Sequence, residues 1–321
     1  MNIHMSNSAF LGNIDPFLKS FDSSNPETFT ITSNEKWISL HPVAISMIAA
    51  IGSIVEPSNI QFEKLEAKSK HYFERMGLFK MLNIPSGITI KEHEPAGRFI
   101  PLTKIKTSEE LSQFISELAP LLHLQQEQTE TIRYVVGELV RNVLEHAQTK
   151  KGAIVCAQYY KESNIVRIGI ADTGIGIKKS INISHNAPTD FDAIRLALTP
   201  GITGTTRKEG GTEMNAGAGL FFTRAIAKVN RDFFMIYSGN AMYKLLKRKK
   251  ESEHIQLFAD PCKEHHSKKE NLPYWRGTVV GIDISVDATK EFSKLLDTIR
   301  ETYRKTMHER KKERQRRPRF I

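Results

Sequence analysis

The clearest periodic pattern in the chain lies between Thr131 and Ala147 (TIRYVVGELVRNVLEHA). Apolar residues recur there at three- and four-residue intervals, which predicts an amphipathic helix. Its predicted buried stripe consists of Ile132, Val135, Leu139, Val143 and Leu144. The neighbouring polar stripe consists of Glu138, Asn142, Glu145 and His146. A carboxylate and a carboxamide one turn apart suit a site that polarises water and completes the oxygen shell of a metal ion, whereas a solvated polar face is the alternative.

Before this helix, shorter apolar runs predict a small α/β layer within residues 28–100. The predicted elements in chain order are a strand at 29–32, a strand at 38–40, a helix from His41-Pro42 to about Val55, a strand at 60–63 and a helix over Ser69–Leu82. Residues 1–27 are rich in Ser, Asn, Asp and Pro and contain few apolar residues. That composition favours a mobile arm.

After the helix, the run Val166–Ala171 predicts a buried strand that ends in a tight glycine turn, Asp172–Gly176 (DTGIG). Gly174 and Gly176 let the backbone pass close to a flat ligand, and Asp172 can accept a hydrogen bond from an amino group. An ordinary Asp-Gly loop is the alternative, because this motif alone has little specificity.

Two further glycine motifs follow. Asn215–Leu220 (NAGAGL) leads into a predicted apolar helix that extends to Val229, so Gly217 and Gly219 precede a helix N-terminus, where phosphates can dock. The second motif is Gly277-Thr278, at the start of a late predicted strand.

The order of these four motifs resembles the GHKL ATP-binding fold, which is shared by gyrase-type topoisomerases, heat-shock chaperones, mismatch-repair proteins, histidine kinases and anti-sigma-factor kinases. The wording ELVRNVLEHA is most similar to the anti-sigma-factor kinase branch. Residues 28–300 resemble bacterial proteins that pair a STAS-like region with this ATPase domain. The resemblance implies a Bergerat-type α+β sandwich over residues 101–300, a smaller STAS-like α/β domain over 28–100, and a basic tail over 301–321.

The resemblance also implies ATP and Mg²⁺ as cofactors. In the positions that match the motifs, Glu138 would be the general base and Asn142 the magnesium ligand. Asp172 would accept from the adenine amino group, within the turn formed by Gly174 and Gly176. Thr278 would be the second contact on the adenine side.

By the same resemblance, Gly217 and Gly219 would form the phosphate-facing turn. The wording departs from the family's commoner G-x-G-L-G-L, because Ala218 separates the glycines and Phe221 follows Leu220. The segment between Ile177 and Gly217 would be a lid over ATP. Within it, Arg207 and Lys208 would either reach phosphates or remain solvated.

Composition limits the remaining classes. The chain has 321 residues and 40% hydrophobic composition, enough for two modest domains. Two cysteines favour a reducing cytosol, and the longest apolar run, Val43–Val55, is too short to cross a bilayer, so we expect a cytoplasmic protein without membrane contact. Residues Arg304–Arg319 hold nine Lys/Arg and two Glu, which is +7 of the net charge of +10. Most of the net positive charge therefore lies in a C-terminal tail.

Several functions remain open. The leading hypothesis is an ATP-binding regulator, either a slow ATPase or a serine kinase acting on a STAS-type or sigma-factor regulatory partner. Ser39 and Ser46 lie near the phosphosite of STAS-type antagonists, although cap or surface serines are the commoner case. The alternative is an ATP-gated switch or clamp that engages nucleic acid through the basic tail. The other interpretation of the tail is that it only increases solubility. The sequence leaves a homodimer open.

Two other classes are disfavoured by the sequence. A sensor histidine kinase needs a long dimerisation helix that presents a histidine, and His123 is a poor candidate for that residue. A zinc site at Cys262–His266 lacks a second ligand cluster.

Overall fold

The computed structural model describes residues 1–35, 38–63, 67–87, 99–202, 218–247, 256–286 and 292–316. Among them, nine α-helices and β-strands precede residue 83. They are β1 (Asn2–Met5), β2 (Ser8–Ala9), α1 (Asp15–Lys19), β3 (Phe29–Ser33), β4 (Ser39–Leu40), α2 (Pro42–Gly52), β5 (Ile60–Phe62), α3 (Ala67–Arg75) and α4 (Leu78–Leu82). We call the described residues before residue 88 the N-terminal layer.

The rest of the described chain builds a large sheet and its helices. The elements are β6 (Phe99–Ile105), α5 (Ser108–Leu122), α6 (Gln126–His146), β7 (Ala153–Tyr160), β8 (Ile165–Ala171), α7 (Gly176–Ile181), α8 (Asp190–Ala197), α9 (Gly219–Val229), β9 (Phe234–Gly239), β10 (Ala241–Leu245), β11 (His266–Lys269), β12 (Trp275–Ser285) and α10 (Phe292–Arg316). The described strands of this sheet run in the order β11-β10-β9-β12-β8-β7-β6, and each neighbouring pair is antiparallel. The predicted mixed α/β class is confirmed.

The two faces of the large sheet are covered differently. Helices α5 to α10 supply apolar residues to a core on one face, together with inward residues of the strands. The N-terminal layer covers the opposite face, and its core includes sheet residues such as Cys156, Met235 and Val279. The N-terminal layer and the large sheet, on either side of the division expected at residue 100, therefore share the core on that face of the sheet.

The N-terminal layer begins with an ordered strand, which corrects the mobile arm expected for residues 1–27. Strand β1 pairs in parallel with β3, and β3 pairs in parallel with β5. Ile3, Met5 and Phe17 are buried in the core against the sheet. Burial of these scattered apolar side chains offsets the entropy of ordering a segment whose composition is otherwise polar.

The helix predicted over Ser69–Leu82 is two helices in the structure, α3 and α4. The break lies at Gly77, whose φ of 76° is in the left-handed region that glycine adopts without strain. The chain reverses there and lets Leu78 and Phe79 reach the core of the N-terminal layer.

Helix α2 is the centre of the contact between the layer and the sheet. All eleven of its residues are buried, because it packs on β7, β8 and β12 of the large sheet and also contacts α4 and β4 of the N-terminal layer. Its first turn rests directly on Gly169 of β8, where a Cβ would overlap the Val43 amide nitrogen. Ser46 on the same helix donates from Oγ to the Gly169 carbonyl oxygen at 3.0 Å.

We expect Gly169→Ala to destabilise the protein by about 3 kcal/mol, because an added methyl would meet the backbone of α2, which cannot move without opening the shared core. Chemical denaturation measures the change. Gly12→Ala is the matched control: a Cβ there would lie 3.4 Å from the Phe233 ring, an ordinary contact, so its stability should change by less than about 0.5 kcal/mol. Equal stability of the two variants would contradict the close packing of α2.

The basic tail expected from residue 301 begins inside helix α10. The helix continues to Arg316, and Ile299 is fully buried. Tyr303 packs against Phe221 and Phe222 of α9, with ring centroids 6.3 and 6.2 Å apart. At least the first turns of the predicted tail therefore belong to the folded body. Among the helices that the structure describes, none combines the length and the apolar character needed to cross a bilayer.

Candidate functional site

Helix α6 carries the predicted acid and amide on the face of the sheet opposite the N-terminal layer. Its buried stripe is confirmed: Ile132, Val135, Leu139 and Val143 are buried, and Leu144 is partly buried. The adjoining polar stripe is uneven, because the Glu145 side chain is 63% exposed and that of Glu138 is 17% exposed. Glu138 is thus the carboxylate of this stripe that faces the protein.

The Glu138 carboxylate lies between a cation and the start of α9. Its Oε1 accepts from Arg141 Nη1 at 2.6 Å, and its Oε2 lies so close to Gly219 that a Cβ there would overlap it. Burial raises the pKa of Glu138, and Arg141 opposes that rise. A carboxylate with a raised pKa suits proton transfer from water.

Asn142 lies one turn further along α6 and is half-buried. Its Nδ2 is buried and has no hydrogen-bond partner among the described residues. An unpaired buried amide is costly, so this group fits a role toward a bound ligand. Within the described part of the chain, no cluster of three or more His, Cys, Asp or Glu could hold a metal ion. A hard ion here would take oxygens from Asn142 and from a ligand's phosphates, as Mg²⁺ commonly does.

Asp172 ends β8 and is 2% exposed. Its Oδ1 accepts from the Gly174 amide at 2.7 Å, and its Oδ2 accepts from the Thr278 amide at 3.1 Å. Burial raises the pKa of Asp172 to about 7, against the lowering effect of these two bonds. The predicted residues Asp172, Gly174 and Thr278 therefore meet in one place, and the carboxylate keeps further acceptor capacity for a ligand.

An irregularity in β12 brings Thr278 to Asp172. The register of β12 against β9 shifts between Trp275 and Val279, as at a β-bulge. Gly277 lies at its centre with a φ of 109°, and a Cβ there would overlap the Asp172 carbonyl oxygen. The Asp172 amide donates to the Thr278 carbonyl at 2.9 Å, and Trp275 Nε1 donates to the Asp172 carbonyl at 3.1 Å.

The glycine turn is also fastened to the end of α6. The Ile175 amide donates to the Ala147 carbonyl at 2.8 Å, and a Cβ on Gly174 would overlap that same carbonyl. Gly176 has a φ of 76° and begins α7. Ala147 follows Glu138 by nine positions, which corresponds to about 14 Å along the helix axis. A ligand that touches both the Asp172 turn and Glu138 must therefore be extended.

Ser238 adds a link that the sequence did not indicate. Its Oγ accepts from the Ile177 amide at 3.0 Å and donates to the Gly277 carbonyl at 2.6 Å. The serine lies near the end of β9, next to the turn into β10, so its sequence indicates only part of a hairpin. Trp275 was likewise missed, because no local pattern connects it with Asp172.

Other predicted candidates lie elsewhere or outside the described residues. Gly219 begins α9, as the motif predicted, whereas Gly217 lies outside the described residues, as do Arg207 and Lys208. Ser46 is fully buried, which closes it to a modifying enzyme in the folded chain, and Ser39 is partly buried in β4.

Part of the chain is similar to a known family of protein domains. Residues 101–230 match the family model described as a histidine kinase-like ATPase domain. The matched segment contains Glu138, Asn142 and Asp172 and extends to the end of α9. The match supports a GHKL-type, ATP-binding domain in this part of the chain. The search of curated proteins found no match.

Proposed function

We propose that the chain is a regulatory protein that binds ATP with Mg²⁺ between α6 and the Asp172 turn and turns ATP over slowly. The observation that carries this proposal is the buried Asp172 carboxylate, whose two oxygens are held by the Gly174 and Thr278 amides. A carboxylate fixed in this way presents its remaining acceptor sites in one direction, which suits recognition of a flat base with an exocyclic amino group.

On the adenine side, Asp172 accepts from the amino group, and Gly174 and Gly176 allow the tight turn that holds the carboxylate in place. The side chain of Thr278 is half-buried beside the carboxylate and can make the second contact. The residue types support a purine with an amino donor and disfavour guanine, which presents a carbonyl oxygen at the corresponding position.

On the phosphate side, the start of α9 at Gly219 directs free N–H groups and the positive end of the helix dipole toward anions. Asn142 would hold Mg²⁺ through its side-chain oxygen, and the ion, when bound, would supply charge neutralisation for the transferred phosphate. Glu138 orients a water and takes its proton, and Arg141 opposes the rise in its pKa that burial causes.

The bound ATP is either hydrolysed, or its terminal phosphate is transferred to a serine of a STAS-type partner. Ser46, one of the two candidate serines of this chain, is fully buried, which supports an acceptor serine on another chain. Phosphate release and serine phosphorylation, measured in parallel with labelled ATP and a STAS-type protein, separate the two. Release that is unaffected by the partner favours the ATPase, and label on a partner serine favours the kinase.

An ATP-gated clamp on nucleic acid is the second candidate. The observation that favours it is the continuity of α10 from its contact with α9, at Tyr303, into the basic residues up to Arg316. Such a run binds phosphate backbones in a salt-dependent way. Nucleic acid that changes the rate of ATP turnover would favour the clamp over a partner protein.

The affinity for the base should depend on pH. Because the pKa of the free Asp172 carboxyl is about 7 and the adenine amino group favours the ionised form, binding lowers that pKa. Affinity should therefore be highest above pH 8 and fall by about tenfold between pH 8 and pH 6. Adenosine is the better probe, since it lacks the phosphates that titrate in the same range. An adenosine affinity that is constant from pH 6 to pH 8 would exclude Asp172 as the acceptor.

A further inference from the structure

We propose that Trp275 is a positioning residue for the adenine side of the site, and that the N-terminal layer sets the affinity for the base through it. This inference rests on the proposed ATP binding. It assigns a role to a residue outside the four motifs, and to a layer that lies on the other face of the sheet.

Four hydrogen bonds fix Asp172, and three of them come from the β12 irregularity. The Thr278 carbonyl accepts from the Asp172 amide, and the Thr278 amide donates to one oxygen of the Asp172 carboxylate. Trp275 Nε1 donates to the Asp172 carbonyl at 3.1 Å. The fourth comes from the Gly174 amide. The indole bond is the only one of the four that a side chain donates, so it is the one that substitution can remove.

The N-terminal layer holds the indole in place. The Trp275 ring is 2% exposed, and its centroid lies 5.5 Å from the Phe21 ring at an interplanar angle of 57°. Phe21 is itself buried, and the next residue, Asp22, exchanges two backbone hydrogen bonds of 2.8 Å with Asn2, the first residue of β1. The segment that carries Phe21 is therefore tied to the small sheet.

On its other side the indole meets Tyr237 of β9, with centroids 6.3 Å apart. The Tyr237 hydroxyl donates to the Pro273 carbonyl and not to Asp172. The indole is thus packed between a residue of the N-terminal layer and one of the large sheet. Any shift of the layer relative to the sheet is passed to the Asp172 carbonyl.

A small displacement matters because the acceptor must match the direction of the base's amino group. Loss of the indole bond leaves the buried Asp172 carbonyl without that donor and frees the residue to tilt. On the phosphate side, Glu138 lies about 14 Å along α6 from Ala147, the residue that holds the glycine turn, so contacts near Glu138 and Gly219 should not respond. The expected signature is a loss of affinity confined to the base.

The test compares Trp275→Phe with the matched control Tyr237→Phe in the full chain. Both remove one donor from the same buried cluster, but only the first removes a bond to Asp172. Titration calorimetry gives the affinity for adenosine, which probes the base side, and for tripolyphosphate with Mg²⁺, which probes the phosphate side. Melting temperature without ligand reports any general loss of stability.

Trp275→Phe should weaken adenosine binding by about three- to tenfold, the usual range for one hydrogen bond, and leave tripolyphosphate binding within about twofold. Tyr237→Phe should leave both within about twofold. Unchanged adenosine affinity in Trp275→Phe, or equal losses for adenosine and tripolyphosphate, would overturn the positioning role.

A second variant keeps the test decisive if Trp275→Phe does not fold. Phe21→Leu keeps the indole and loosens its packing from the N-terminal side, and it should weaken adenosine binding by about threefold with tripolyphosphate unaffected. Unchanged adenosine affinity in this variant would overturn the link to the N-terminal layer. A wild-type chain that binds neither adenosine nor ATP would instead overturn the proposed function itself.

Discussion

Glu138→Ala is expected to lower ATP turnover by about 10²- to 10⁴-fold, the usual contribution of a general base. ATP affinity should change little, because Glu138 meets water and not the nucleotide in the proposed mechanism. Its position supports the role: Oε1 is held by Arg141, and Oε2 faces Gly219 at the start of α9. Phosphate release under saturating ATP and Mg²⁺ measures the turnover.

Glu145→Ala is the matched control for this substitution. Glu145 lies on the same polar stripe of α6, but its side chain is 63% exposed and faces solvent. Its removal should leave turnover within about twofold, since isolated exposed charges contribute little. Equal turnover in Glu138→Ala and the wild type would refute the base assignment.

Asp172→Asn should abolish the stabilisation of the fold by ATP. Wild-type protein at an ATP concentration of about 100 times its dissociation constant should gain roughly 2.7 kcal/mol of stability. In the variant, the amide nitrogen must point at the Gly174 or the Thr278 amide, so two donors oppose each other and the acceptor for the base is lost. Thermal melting with and without ATP measures the effect.

The control for Asp172→Asn is Asp232→Asn. Asp232 is also a buried carboxylate, burial raises its pKa to about 6, and it accepts from the Ser285 amide and hydroxyl at 2.6 and 2.8 Å. The substitution should cost stability in the same way yet keep the ATP-dependent rise in melting temperature. A rise of wild-type size in Asp172→Asn would remove Asp172 from the site.

The sequence predicted those parts of the site that depend on local periodicity. The buried stripe of α6 and the apolar run of β8 both follow from side-chain patterns within one element, and both are confirmed. The glycines at 174 and 176 were also recognisable, because a tight turn at a strand end has few other solutions. These features brought Glu138 and Asp172 to notice before any tertiary contact was known.

The sequence could not predict contacts made between distant elements. Strand β1 has four residues, and its partner β3 lies more than twenty residues away, so the alternation of Ile3 and Met5 was too short to stand out. Gly169 matters because α2 packs directly on it, and Trp275 matters because its indole donates to Asp172. Such roles come from the packing of layers, and no local pattern encodes them.

The most direct test of the central proposal is calorimetric titration of the full chain with ATP and Mg²⁺ at pH 8, where the Asp172 carboxyl is ionised. The account predicts saturable binding of one ATP per chain, competition by ADP and by adenosine, and no comparable competition by GTP. A titration that shows no saturable ATP binding at millimolar concentration, with the protein folded, would contradict it.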